Sequence, residues 1–129
     1  MRPVQGRDTI PGVPITVLIV DDDAPFRVTV RALLEAEGCL VVGEAADGRS
    51  ALAEVERLRP ELVLLDVQLP DVNGFDVAAA LADWYDPPAV VLTSSRSASS
   101  YRRRLASSPA RAFIPKSELS GEALAALFP

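Results

Sequence analysis

The feature that most restricts the fold of this chain is a strict alternation of short apolar runs and helical segments. The runs are apolar on both faces, as in ITVLIV at 15–20, which is typical of buried parallel strands. The segments between them carry apolar residues at helical spacing, for example Phe26, Val30 and Leu33. We predict strands at 15–20, 40–46, 62–66, 89–93 and 110–114. We predict helices at 25–37, 47–58 and about 75–85, a short helix containing Tyr101 and Leu105, and a closing helix at 117–127.

Five strand–helix units in succession imply an α/β fold. We expect a doubly wound, five-stranded parallel sheet flanked by five helices, with right-handed crossovers. The length of 129 residues fits a single domain, and an apolar content of 49% provides the material for one core. In open sheets of this kind the functional crevice lies outside the carboxyl ends of the strands. Functional residues are therefore expected directly after the strands.

The N-terminal stretch differs from the rest of the chain. Residues 1–14 are rich in Pro, Gly and Arg, which predicts a flexible leader, with the domain at 15–128. The leader lacks the apolar core of a secretory signal, and no stretch approaches the ~20 apolar residues of a membrane span. We therefore expect a cytoplasmic protein with no membrane association. The single cysteine, Cys39, excludes an internal disulfide framework and is expected to be a small buried hydrophobe at a strand start.

Charge and composition exclude several kinds of chemistry. The net charge is −5, whereas a nucleic-acid-binding surface is usually basic, so we expect no direct nucleic-acid binding by this chain. The chain contains no histidine, which excludes an imidazole base, a histidine metal ligand and a phosphohistidine. Of its 13 basic residues only Lys116 is a lysine, so this residue is a candidate for a specific role.

Polar residues stand at the predicted strand ends. The triplet 21–23 (DDD) follows the first strand, Asp66 ends the third, Thr93 ends the fourth and Lys116 follows the fifth. Clustered carboxylates repel one another, and a hard cation with oxygen ligands, such as Mg²⁺, removes that cost. A strand-end aspartate is also a nucleophile for aspartyl-phosphate chemistry. Mg²⁺ and Lys116 would neutralise the phosphoryl group, and Thr93 would donate a hydroxyl hydrogen bond.

Each of these residues also has a purely structural interpretation. The triplet 21–23 could cap the first helix, and Asp66 could belong to an ordinary turn. Thr93 could be a solvated strand end and Lys116 a surface residue, while Phe113 in the fifth strand fits the core. Their joint occurrence at strand ends favours a functional site.

The motifs that contain these residues resemble the receiver domains of two-component response regulators. The motifs are LIVDDD (18–23), LLDVQLPDVNGFD (64–76), VLTSS (91–95) and FIPKSEL (113–119). Their order and spacing match, and the resemblance covers about 15–128. It implies the flavodoxin-like receiver fold. The string FIPKSEL most resembles NarL/LuxR-type receivers, which normally precede a helix-turn-helix domain. Because the sequence ends at Pro129, we expect a receiver without the DNA-binding domain.

The resemblance implies a role for each site residue. Asp66 is implied to be the phosphoacceptor. Asp22 is implied to bind Mg²⁺ directly and Asp21 mainly through a water. Asp66 and the backbone carbonyl of Gln68 are implied to complete the metal ligands.

Further roles concern the phosphoryl group and the switch. Lys116 is implied to contact the phosphoryl group, and Thr93 to hydrogen-bond it as the switch hydroxyl, beside the backbone N–H of Ser94. Phe113 resembles the switch aromatic, which moves inward when Thr93 is drawn to the phosphate.

The sequence departs from the family pattern at two places. The family usually has a proline directly after the lysine, often with a cis bond, whereas here Pro115 precedes Lys116 and Ser117 follows it. A cis bond before serine would cost about 3 kcal/mol, far more than one before proline. The family often has Asp-Gly where this chain has Asn73 and Gly74, and asparagine also tolerates a left-handed turn.

The resemblance implies a phosphorelay receiver that is not an enzyme beyond self-dephosphorylation. Its donor would be a sensor histidine kinase or phosphotransfer protein. A downstream protein would bind the face formed by the fourth helix, fifth strand and fifth helix, where the run 102–104 (RRR) is either a docking face or a solvated basic face. One alternative is an excised or truncated receiver of a helix-turn-helix regulator. A Mg²⁺-dependent aspartyl phosphatase of the haloacid-dehalogenase type is disfavoured because it needs an acid at the position of Gln68.

Overall fold

Strands and helices alternate along the whole of residues 14–127, the part of the chain that this computed structural model describes. The strands are β1 (Thr16–Val20), β2 (Leu40–Ala45), β3 (Leu62–Asp66), β4 (Ala89–Ser94) and β5 (Ala112–Pro115). The helices are α1 (Ala24–Ala36), α2 (Gly48–Leu58), α3 (Gly74–Ala82), α4 (Arg102–Ser107) and α5 (Gly121–Ala125). Short 3-10 turns, Ala98–Tyr101 and Lys116–Glu118, precede α4 and α5. The predicted leader lies outside the described residues except for Pro14, as does position 128.

The five strands form one parallel sheet in the order β2-β1-β3-β4-β5. Alternate residues of β1 enter different hydrophobic clusters, because successive side chains of a strand point to opposite faces. Leu18 lies in the cluster that contains Val55 of α2 and Phe75 of α3. Ile19 lies in the cluster that contains Leu34 of α1 and Leu124 of α5. The predicted doubly wound α/β fold is confirmed.

Helix ends follow the local sequence signals. The side chain of Asp47 accepts a hydrogen bond from the Ser50 N–H at 2.8 Å and caps α2. Gly38 follows the C-terminal cap of α1 with φ +86°, a left-handed conformation that glycine adopts without steric cost. Cys39 comes directly before β2 and is buried, as predicted.

The predicted boundaries are wrong near the C-terminus. The closing helix begins at Gly121 rather than at residue 117, because Leu119 is extended and the Ser120 side chain caps the helix by accepting from the Ala123 N–H. The fifth strand is shifted to Ala112–Pro115, and Tyr101 ends a 3-10 turn before α4. Likewise, α3 ends at Ala82 rather than near residue 85. No helix within residues 14–127 has the length and apolar character needed to cross a membrane.

Candidate phosphoacceptor and metal site

Polar side chains meet at the carboxyl edge of the sheet. Asp21 follows β1, Asp66 ends β3, Thr93 and Ser94 are the last residues of β4, and Lys116 follows β5. β3 lies between β1 and β4, and Asp66 is paired in register with Thr93. The topology thus brings together residues from four separate sequence motifs, at the edge where open α/β sheets carry their sites.

The acidic triplet divides between two tasks. Carboxylate oxygens of Asp21, Asp22 and Asp66 lie within 4.8 Å of one another. Asp21 and Asp66 are only 1% and 5% exposed, whereas Asp22 is exposed. Asp23 instead caps α1 by accepting a hydrogen bond from the Phe26 N–H at 3.3 Å. The cap interpretation is therefore correct for Asp23, while Asp21 and Asp22 join the carboxylate cluster.

Lys116 is the cation of this cluster. Its Nζ lies 2.7 Å from Asp21 Oδ2 and 3.5 Å from Asp66 Oδ2. The same nitrogen lies 4.3 Å from the centre of the Phe26 ring, a cation–π distance. Burial opposes the charged form of Lys116, but the hydrogen bond to Asp21 and the charge of Asp66 outweigh it and raise its pKa. The described residues contain no cis peptide bond, so the Lys116–Ser117 bond is trans.

Asp66 is the acid of the cluster whose ionisation its surroundings oppose. Burial and the nearby charge of Asp21 raise the pKa of Asp66 to about 6, although Lys116 and the Gln68 N–H act in the opposite direction. The Gln68 N–H lies 3.2 Å from Asp66 Oδ1. A carboxylate that is costly to ionise gains from any positive charge that arrives beside it.

The raised pKa of Asp66 predicts a stability change with pH in metal-free protein. The folded protein keeps a proton on Asp66 up to about pH 6, whereas an unfolded chain loses it near pH 4. The folded state therefore binds more protons between these values, and stability falls as pH rises through them. We expect Asp66→Asn to remove this fall and to raise the free energy of unfolding at pH 7 by roughly 2 kcal/mol.

Urea unfolding of both proteins at pH 4 and pH 7 in the presence of a chelator measures this difference. Asp76→Asn serves as the control, since the Asp76 side chain is 68% exposed. A wild-type protein that loses no more stability than Asp66→Asn over this interval would contradict the prediction.

The two hydroxyls at the end of β4 have different environments. Thr93 is buried, and its Oγ1 has no hydrogen-bond partner among the described residues. The Ser94 side chain is also buried, but its Oγ lies 2.9 Å from the Tyr101 hydroxyl and accepts from the Arg96 N–H. An unpaired buried hydroxyl costs free energy, so Thr93 Oγ1 is available to a group that enters the site.

The donor set fits a hard divalent cation. Three carboxylates close together offer the oxygen ligands that Mg²⁺ prefers, and Mg²⁺ sites use one or two carboxylates together with waters. The exposed side chain of Asp22 leaves one side of the cluster open to water. Asp21 already holds Lys116 in an ion pair.

An aromatic row connects the end of β4 to the predicted switch residue. The Tyr101 ring packs edge-to-face against Phe75 at 5.5 Å and against Phe113 at 5.8 Å between centroids. Phe113 is half-buried. Tyr101 therefore lies between Phe113 and α3, while its hydroxyl contacts Ser94.

The basic run 102–104 is not uniform. Arg102 and Arg103 are exposed. Arg104 forms an ion pair with Asp76 at 3.0 Å and stacks over the Phe75 ring at 4.9 Å. Arg104 is therefore bound to residues of α3, whereas Arg102 and Arg103 leave their charges exposed on this surface.

The sequence does not predict the contacts that three residues make around the site. The sequence predicts only that Tyr101 lies in a short helix. It predicts a turn at Asn73, whose side chain in fact caps α3 by accepting from the Phe75 N–H at 2.8 Å. The suggestion of left-handed backbone there is wrong, since neither Asn73 nor Gly74 has a positive φ. Arg27 reaches the backbone of Asp21, and no sequence signal points to this contact.

The chain belongs to the response regulator receiver domain family, whose model matches residues 17–128. In solved structures it is similar to the signal receiver domain of the response regulator NarL from Mycobacterium tuberculosis. That similarity has a TM-score of 0.80 and 30% identity, and covers 88% of this chain and 92% of the other. A CheY-like receiver domain from Methanospirillum hungatei matches with a TM-score of 0.76 and 25% identity, over 87% of this chain and 88% of that one.

Curated relatives are longer proteins. The transcriptional regulatory protein PdtaR of Mycobacterium tuberculosis is 40% identical over 87 residues, which is 67% of this chain and 42% of PdtaR. Protein-glutamate methylesterase/protein-glutamine glutaminase 5 of Myxococcus xanthus is 46% identical over 83 residues, 64% of this chain and 24% of that protein. The chain thus spans less than half the length of either relative.

Proposed function

We propose that this chain is a phosphorelay receiver in which Asp66 accepts a phosphoryl group. The observation that carries the proposal is the placement of buried Asp66 beside Asp21, Asp22 and Lys116, with the unpartnered hydroxyl of Thr93 at the same sheet edge. The donor is a phosphohistidine of a sensor histidine kinase or phosphotransfer protein. The domain has no activity as an enzyme beyond release of its own phosphoryl group.

The transfer uses groups that this chain supplies. A carboxylate oxygen of Asp66 attacks phosphorus and forms a P–O bond, while the P–N bond of the donor breaks and its electron pair stays on the imidazole. The ammonium of Lys116, 3.5 Å from Asp66, stabilises negative charge on the phosphoryl oxygens. Thr93 Oγ1 donates a hydrogen bond to one of them, and the Ser94 N–H lies beside it. The phosphoryl oxygen thus gives the buried Thr93 hydroxyl the hydrogen-bond partner that it lacks in the structure.

A bound Mg²⁺ would neutralise charge on the phosphoryl oxygens and on the carboxylates during the transfer. Asp22 and Asp66 would bind it directly, with the backbone carbonyl of Gln68, while Asp21 would act through a water because it pairs with Lys116.

Intact-mass measurement tests the proposal. Incubation with a small phosphodonor and Mg²⁺ is expected to add one phosphoryl group to the protein, and a chelator is expected to prevent the addition. A protein whose mass is unchanged after incubation with the donor and excess Mg²⁺ would refute the assignment.

The division of the acidic triplet predicts unequal effects on Mg²⁺ binding. Asp22→Ala removes a proposed direct ligand, so we expect the dissociation constant for Mg²⁺ to rise by about tenfold or more, since even loss of a supporting group costs that much. Asp23→Ala removes the cap of α1, which costs about 1 kcal/mol of stability and leaves Mg²⁺ binding nearly unchanged. Calorimetric titration of both variants measures the contrast, and equal weakening would count against the site.

The output surface is proposed to be the face formed by α4, β5 and α5, which binds a downstream protein. Phosphorylation adds roughly two negative charges at the sheet edge, and a local change of this kind signals only by biasing a two-state element. Thr93 and Phe113 are the proposed elements of this switch, since Thr93 Oγ1 has no hydrogen-bond partner among the described residues and Phe113 is half-buried against Tyr101.

The switch proposal predicts a separable effect of Thr93. In the wild-type protein, a phosphoryl mimic is expected to shift backbone amide signals throughout 98–116. In Thr93→Ala, Asp66 is still modified, because its carboxylate is intact, but shifts are confined to the pocket. Signals at 98–116 that stay unmoved in the wild-type protein would exclude the switch.

A further inference from the structure

The loop that carries Asp21 and Asp22 is held by a side chain of α1. Arg27 Nη1 donates a hydrogen bond to the backbone carbonyl oxygen of Asp21 at 2.5 Å. Its Nε donates to Glu44 Oε1 at 2.8 Å. The Arg27 side chain is only 19% exposed. The planar guanidinium thus bridges a loop of the site and a neighbouring strand, a geometry that a lysine ammonium cannot reproduce.

Glu44 gives Arg27 a fixed support. It lies on β2, where its register partner is Ile19 of the adjacent β1, so it stands beside the strand that leads into the loop. Arg31 binds its other carboxylate oxygen at 2.8 Å. Burial would raise the pKa of Glu44, but hydrogen bonds and charge from Arg31 and Arg27 overcome that effect and lower it.

The contact at the Asp21 carbonyl controls the direction of the chain toward Asp22. This carbonyl and the Asp22 N–H belong to one planar peptide unit, so fixing the oxygen fixes the plane. The rest of Asp21 is held as well: its N–H donates to the Ala45 carbonyl at 3.0 Å, and its Oδ1 accepts from the Asp23 N–H at 2.8 Å. The Arg27 contact adds a third hydrogen bond to Asp21, at the peptide unit that joins Asp21 to the exposed Asp22.

We propose that Arg27, supported by Glu44, is a positioning residue that orients the carboxylate of Asp22 for Mg²⁺. The inference rests on the proposed function, which makes Asp22 a metal ligand. Arg27 itself touches neither the cation nor the phosphoryl group. Groups that orient a metal ligand through a hydrogen bond contribute about 10-fold to 100-fold to metal affinity.

The sign of the expected effect separates positioning from charge. Arg27 is a cation near a cation site, so by Coulomb's law its removal alone would strengthen Mg²⁺ binding. Loss of positioning would weaken it. Arg31 provides a matched control, because it lies one helical turn further along α1 and binds Glu44 without a contact to Asp21.

The experiment is a calorimetric Mg²⁺ titration of metal-free wild-type protein, Arg27→Gln and Arg31→Gln, without phosphodonor. We expect the dissociation constant of Arg27→Gln to rise by about tenfold. That of Arg31→Gln is expected to change far less or to fall, because the Arg27 contact to Asp21 stays in place. Equal or tighter binding by Arg27→Gln would overturn the inference. Should Arg27→Gln lack the wild-type circular dichroism spectrum, Arg27→Lys is measured, which keeps the charge and loses the bridge. Wild-type affinity in Arg27→Lys would also overturn the inference.

Phosphoryl uptake separates this inference from the proposed function. Arg27→Gln is expected to lose phosphoryl uptake at low Mg²⁺ and to regain most of it at saturating Mg²⁺, because excess metal fills a weakened site. A lasting loss of uptake at saturating Mg²⁺ would contradict a role limited to positioning. A wild-type protein that binds no Mg²⁺, or that takes up no phosphoryl group, would instead refute the proposed function.

Discussion

Asp66→Asn is expected to abolish covalent uptake of a phosphoryl group. The amide oxygen of asparagine is a far weaker nucleophile than a carboxylate, and Asp66 is a buried acid whose Oδ2 lies 3.5 Å from the Lys116 ammonium. Asparagine has nearly the same shape and can still accept from the Gln68 N–H, so the fold is expected to persist. The loss therefore reports on the chemistry of one atom rather than on unfolding.

The measurement is intact mass after incubation with a small phosphodonor and saturating Mg²⁺. Asp76→Asn is a matched control, because Asp76 lies on α3 outside the carboxylate cluster and pairs with Arg104. We expect this control to take up one phosphoryl group, as in the wild-type protein. Stoichiometric modification of Asp66→Asn would show that another residue is the acceptor.

The architecture was predictable because burial dictates it. A strand that is covered on both faces must be apolar throughout, and β3 is buried along its whole length. Its predicted bounds, 62–66, are those of the structure. Once five such units alternate, a parallel sheet places the carboxyl ends of all strands at one edge. In the structure, Asp66 and Thr93 are register partners at that edge.

Residue type alone does not divide the tasks within the triplet 21–23, because its three side chains are identical. Position does: the resemblance assigns Asp21 and Asp22 to the metal, and Asp23, one position further on, is expected to cap the first helix. Asp23 meets the Phe26 N–H, whereas Asp21 meets Lys116. Both interpretations of the triplet were therefore partly correct.

Side-chain contacts between residues far apart in the sequence also could not be predicted from the sequence. Glu44 lies 17 positions after Arg27, and the pair forms only because β2 is adjacent to β1. Tyr101 lies between Phe75 and Phe113 for a similar reason. The predicted closing helix, 117–127, is too long. Its apolar residues have helical spacing, but the side chain of Ser120 caps the helix, so that it begins only at Gly121.

Gly74→Ala is expected to destabilise the protein by about 3 kcal/mol. A Cβ at this position would lie 2.3 Å from the backbone oxygen of Asp66 and 2.8 Å from the Cα of Val67. Both are backbone atoms of the segment that carries Asp66, so no side-chain rotation relieves the overlap. Gly74 is also tied to this segment through its N–H, which donates to the Val67 carbonyl at 2.7 Å. Either α3 or the Asp66 backbone must move.

Gly38→Ala separates this steric effect from the general cost of replacing a glycine. Gly38 has a left-handed φ of +86°, but a Cβ there would meet no atom within 4 Å, so we expect a loss of only about 1 kcal/mol from conformational strain. Urea unfolding of the two variants gives the comparison, and intact mass shows whether the displaced Asp66 backbone also slows phosphoryl uptake. We expect slower uptake in Gly74→Ala and wild-type uptake in Gly38→Ala. A smaller loss of stability in Gly74→Ala than in Gly38→Ala would mean that α3 yields easily, and that the close approach of Gly74 does not fix the position of Asp66.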